Sequence, residues 1–130
     1  MRYRLRTLLI FLAIAPPLLA GAWLLLIRHR ALRNIDTARV HVTVLEEATY
    51  HYILDTAQLP PDLDALIRPP KTLTSPQKWT GPYLERPQVP TDPWHRPYRY
   101  ELLDKQRIKF RIASDGPDKT PGTNDDITTP

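Results

Sequence analysis

Residues 28–57, RHRALRNIDTARVHVTVLEEATYHYILDTA, decide the fold. Ile35, Ala38, Val42, Leu45, Thr49 and Tyr52 recur at alternating steps of three and four, which draws one stripe along a helix. Arg39, Glu46, Glu47 and Asp55 fall largely off that stripe. The β-branched run Val40, Val42, Thr43 and Val44 has modest helix propensity, so packing of the striped face must hold the helix. Pro60-Pro61 stops it. Asp62–Ile67 then reads as a short second helix with Asp62 as its N-cap, ended before Pro69-Pro70.

Upstream, Thr7–Ile27 is uncharged throughout. At about 1.5 Å rise per residue it spans roughly the 30 Å of a bilayer core. Arginines flank it on both sides, so charge alone leaves its orientation open. A cleaved signal peptide is the competing reading, with Ala20-Gly21-Ala22 as the cleavage site. The apolar run continues past that site through Trp23–Ile27 and favours an uncleaved anchor. The expected organisation is a basic flank over residues 1–6, a transmembrane anchor over 7–27 and one domain over 28–130.

Downstream, prolines at 69, 70, 76, 82, 87, 90, 93 and 97 interrupt any periodicity. Trp79, Tyr83, Leu84, Val89 and Trp94 punctuate the same stretch, which predicts an ordered loop pinned to the domain. Trp79, Tyr83, Trp94 and Tyr98 are the expected clamps. Two strands follow, Tyr98–Leu103 and Arg107–Ala113, joined at Asp104-Lys105-Gln106. Ile108, Phe110 and Ile112 alternate with Arg107, Lys109 and Arg111, so the apolar face of this hairpin packs on the helix stripe. The fold class is therefore α+β, a long amphipathic helix on a small antiparallel sheet.

The C-terminal stretch Asp115–Ile127 carries four carboxylates, two glycines and two prolines and has no apolar face. Its acids repel one another unless a cation joins them. Calcium suits such a loop because it accepts about six to eight oxygen ligands in irregular geometry. A solvated acidic tail is the alternative.

Composition excludes several function classes. The chain of 130 residues has no cysteine, hence neither disulfides nor a thiolate metal site. Its net charge of +4 comes from Arg2, Arg4, Arg6, Arg28, Arg30 and Arg33, and residues 34–130 carry a net −2. That argues against nucleic acid as a partner. His29, His41, His51 and His95 are scattered, and no nucleophile elbow, phosphate loop or HExxH occurs. No enzyme and no small-molecule substrate is expected.

Four segments in order resemble the major pseudopilin family of type II secretion systems. Leu45–Asp55 followed by Leu59-Pro60 is similar to the family's helix ending. Trp79-Thr80-Gly81-Pro82-Tyr83-Leu84 resembles its W-x-G-P-Y-L segment, and Val89–Tyr98 resembles its P-x-D-P-W-G-x-P-Y stretch. Ser114-Asp115-Gly116 and Asn124-Asp125-Asp126-Ile127 resemble its calcium loop.

The resemblance implies Ca2+ held by the side chains of Asp115, Asp125 and Asp126 and by backbone carbonyls near Ile112 and Thr123. Asn124 and Asp118 stay open as further oxygen donors, because this loop is longer than the family's. His95 stands where the family prefers glycine, a position that suggests a turn with φ > 0. At the front, Leu5 and Ile10 replace the glycine and glutamate of the family's peptidase-recognition motif.

The resemblance further implies single-pass insertion in the inner (cytoplasmic) membrane, the domain facing the periplasm or outside, and other pseudopilins or copies of itself as partners. Two functional readings follow: a structural component of a secretion pseudopilus, or a standalone bitopic module that reuses the domain to bind an envelope partner.

Overall fold

The structure is a computed structural model that describes residues 2–129, with side chains described from residue 16 onward. One helix, α1, runs from Arg2 to Thr56 with Pro16 and Pro17 inside it. The chain divides into two compact units, Met1–Asn34 and Ile35–Pro130. Among the described residues no helix is long and apolar enough to cross a membrane. The anchor expected over 7–27 falls partly on residues 7–15, whose side chains lie outside the described residues. Within its described part, Leu18, Trp23 and Leu25 are exposed.

In the second unit the stripe is the buried face of α1. Ala38, Val42, Leu45, Ala48, Thr49 and Tyr52 are all buried, and Ile35 is half-buried. The buried threonines satisfy their hydroxyls within the helix: Thr49 Oγ1 donates to the Leu45 carbonyl at 2.8 Å and Thr56 Oγ1 to that of Tyr52 at 2.7 Å. The helix ends at Thr56, before Pro60-Pro61 is reached. Ala57 takes a left-handed φ of 56°, and its N–H donates to the Ile53 carbonyl at 2.8 Å, which closes the last turn. Asp62 caps the next element as expected, accepting from the Ala65 N–H at 3.0 Å. That element is a single 3-10 turn, Leu63–Leu66.

Three antiparallel strands form the sheet: β1 (Arg99–Asp104), β2 (Lys109–Ser114) and β3 (Ile127–Thr128), in that spatial order. Arg99 faces Ala113 and Tyr100 faces Ile112 across the hairpin, and Ser114 faces Ile127 on the other side. β3 was not expected from the sequence, since two residues carry no alternation. Ile108 departs from its expected place: it lies in the turn with φ 54° and is exposed. Ile112 is fully buried with Val42, Leu45, Tyr52, Leu66 and Tyr98, so the hairpin and the helix stripe share one core.

Candidate functional site

The proline-rich stretch from Arg68 to Pro97 is ordered by two carboxylates. Asp55, on the last turn of α1, accepts from the Tyr83 hydroxyl at 2.9 Å and from the Thr80 hydroxyl. Those two bonds hold its carboxyl below the usual range, Thr80 contributing most and Tyr83 next. Trp79 Nε1 donates to the Ala65 carbonyl at 3.0 Å, and the Tyr83 ring meets both Trp79 and Tyr52 edge-on, at 5.7 and 5.8 Å. Gly81 is needed there, because a Cβ would lie 2.6 Å from the Trp79 ring.

The second carboxylate is Asp92, 2% exposed. Its Oδ1 accepts the N–H groups of Trp94 and Arg96 at 3.0 and 2.8 Å, and its Oδ2 accepts the Ser114 hydroxyl at 2.6 Å. The Gly116 N–H donates in turn to Ser114 Oγ at 3.2 Å, so Asp92 ties the 89–98 turn to the start of the acidic loop. Of the four expected clamps, Trp79, Tyr83 and Tyr98 belong to or pack on the core. Trp94 does not: half-buried like Trp79 and Tyr83, it is not among the residues packed on the core, and its contribution to the turn is its backbone N–H on Asp92.

In the acidic loop the structure brings Asp125 and Asp126 together around Thr123, whose hydroxyl lies 2.6 Å from Asp125 Oδ1 and 3.5 Å from Asp126 Oδ1. Asp125 Oδ2 accepts the Asp118 N–H at 3.2 Å. The Thr123 hydroxyl, with help from that N–H, keeps the Asp125 carboxyl below the usual range. Gly116, at φ 66°, touches the far end of the loop, since a Cβ on it would collide with the Asp125 carbonyl. The Thr123 carbonyl accepts the Asp126 N–H at 3.3 Å, and Asn124 is exposed. Ile112 is placed elsewhere: its side chain is in the core and its carbonyl accepts the Thr129 N–H at 3.0 Å.

Asp115 faces arginine rather than the other loop acids. It is 3% exposed, and its Oδ1 accepts from Arg99 Nε at 2.6 Å while Oδ2 accepts from Arg96 at 3.3 Å. The same Arg99 donates through Nη2 to Asp126 Oδ2 at 2.9 Å and through Nη1 to Glu101 at 2.9 Å. An ion bridging Asp115 and Asp126 would have to displace that guanidinium or sit beside it. Among the described residues, no three His, Asp or Glu side chains are placed to hold a metal ion. The donor set Asp115, Asp125, Asp126, Ile112 and Thr123 does not fit calcium in this arrangement.

Residues 26–129 match the family model described as type II secretion system (T2SS), protein G. The chain belongs to that family. It is 37% identical over 90 residues to a type II secretion system core protein G of Pectobacterium carotovorum subsp. carotovorum, an alignment that takes in 66% of this chain and 56% of that protein. The chain thus spans little more than half the length of that relative. Its fold is similar to the crystal structure of the major pseudopilin from the type 2 secretion system of enterohaemorrhagic Escherichia coli, with a TM-score of 0.63 and 29% identity over 80% of this chain and 92% of that one. The protein G domain so defined contains all four resembling segments together with Asp55, Asp92 and Arg99. The bonding roles of those three residues escaped the sequence reading. For Asp92 the available signal was its place between prolines in Pro90-Thr91-Asp92-Pro93, where a carboxylate commonly organises a turn.

Proposed function

We propose that this chain is a membrane-anchored structural subunit of a type II secretion pseudopilus, single-pass in the inner membrane, with the domain of residues 28–130 outside the cytoplasm. The observation that carries the reading is the likeness of its fold to 92% of a major pseudopilin. The uncharged run Thr7–Ile27 supports the anchor. Other pseudopilins and further copies of the chain are its partners, and its role is structural rather than catalytic. Its acidic loop needs positive charge to close; the resemblance implies calcium, while the contacts around Arg99 supply a guanidinium.

Leu5 and Ile10 favour a second reading, a standalone bitopic module, because they replace the residues on which family processing and assembly depend. Deletion of the chain in its own host separates the two. The pseudopilus reading predicts loss of a set of proteins from the culture medium, restored by the wild-type chain. An unchanged medium favours the standalone module.

A further inference from the structure

We propose that Arg99 is the resident cation of the C-terminal loop, closing it where the family resemblance calls for a divalent ion. Four observations carry this. First, one guanidinium meets carboxylates from three places in the fold: Glu101 on β1, Asp115 just after β2 and Asp126 just before β3. Its planar fork, with donors pointing in fixed directions, suits this three-way contact better than the point charge of a lysine.

Second, the strand register sets the cation in place. Arg99 opens β1 opposite Ala113, and Ser114 opposite Ile127 brings β3 alongside, so Asp115 and Asp126 both emerge next to Arg99. Third, Asp115 is 3% exposed. A carboxylate so far removed from water needs charge-assisted partners, and arginine N–H groups meet both of its oxygens.

Fourth, the carboxylates that meet Arg99 are matched in number by arginines. Arg96, Arg99 and Arg111 stand against Glu101, Asp115 and Asp126, with Arg111 lying 3.7 Å from Glu101. Neutral donors serve the loop acids as well, the Thr120 N–H meeting Asp118 at 2.8 Å. The Gly122 N–H donates to Asp126 at 2.9 Å, and Thr123 and Asp118 serve Asp125. The inference concerns the folded domain and does not depend on whether the chain assembles into a pseudopilus.

The test is hydrogen exchange of the full chain in detergent, read on peptides that contain Ile112–Asp115 and Ile127–Thr129, in EDTA and then in millimolar calcium. In EDTA the wild-type peptides stay protected, and calcium leaves their exchange unchanged. Arg99→Gln speeds their exchange in EDTA by about tenfold or more, the effect of losing charge-assisted bonds to buried carboxylate. Asp115→Asn added to Arg99→Gln recovers part of that loss, because it removes the carboxylate left unpaired. The proposal is overturned if EDTA opens the wild-type loop and calcium recloses it, which would make calcium the closing cation. It is equally overturned if Arg99→Gln exchanges like wild type. If Arg99→Gln fails to fold, the wild-type comparison of EDTA with calcium decides alone.

Discussion

His95 holds a left-handed backbone, φ 68°, with its N–H on the Asp92 carbonyl at 3.0 Å. The turn for which the resemblance suggests glycine is thus made here with a histidine. A non-glycine residue in this region costs about 1–2 kcal/mol, partly offset because glycine has more unfolded freedom to lose. His95→Gly should therefore raise stability by about 0.5–1 kcal/mol, read as a higher unfolding midpoint of the full chain. A midpoint that falls would mean the imidazole makes a contact worth more than the strain.

Tyr100 offers the opposite kind of check. Its hydroxyl is buried without a hydrogen-bond partner, and burial pushes its pKa up. Tyr100→Phe should be neutral or stabilise by up to about 1 kcal/mol, because the buried hydroxyl gains nothing in return for lost hydration. Tyr98 differs in sharing a 3.0 Å bond with His41, so Tyr98→Phe should destabilise in the same assay.

At this scale the cap Asp62 was legible, since it acts on backbone three residues from itself, whereas the turn at His95 was suggested only by a resemblance that puts glycine there. Arg99 was not. Two of its three partners lie 16 and 27 residues away and meet it only once the hairpin register and β3 are set.

Among the elements, the W-T-G-P-Y segment depends most on a few contacts. It is pinned to the end of α1 by Asp55 and to the 3-10 turn by Trp79 and by the Tyr83 N–H, which donates to the Leu66 carbonyl at 2.8 Å. Both tryptophans are half-buried, but only Trp79 packs on the core, so Trp79→Ala should cost about 3 kcal/mol and Trp94→Ala less. Equal losses would place Trp94 in the core after all.

The segment should also respond to acid. The folded Asp55 carboxyl lies below its unfolded value, so its contribution is complete above the ordinary carboxylate range near about 4. It is lost as pH falls through the lowered folded pKa. Fluorescence of Trp79, with Trp23 and Trp94 replaced by phenylalanine, should report release of the segment in that window. Asp55→Asn should remove the pH response.

The long helix and the hairpin were legible from periods of 3.6 and 2, which persist over many residues. β3 was not, because two residues bonded to the edge of a hairpin leave no periodic trace. The proline-rich stretch was legible as ordered from its aromatic residues. How it is ordered lies in Asp55 and Asp92, single carboxylates whose partners belong to other segments.

For the whole molecule, the α+β class and the family were readable because four short segments occur in a fixed order, and residues 26–129 match the protein G family. The closing of the acidic loop was only half readable. Composition left a cation-closed loop and a solvated acidic tail both open, and it cannot say whether a closing cation is an ion or a side chain. The anchor carries its own prediction. With Leu5 and Ile10 in place of the residues that family processing needs, the intact mass of the membrane-extracted chain should include residues 1–6. A mass short by those residues would mean that processing occurs regardless.

Membership of a pseudopilus is a claim about neighbours, and cross-linking in the native membrane reads neighbours directly. Formaldehyde applied to cells producing the chain from its own locus, followed by immunoblotting, should give a ladder of self-multiples and mixed species containing other pseudopilins. A single monomer band, from cells in which the chain is present and membrane-bound, would contradict the pseudopilus reading and leave the standalone module.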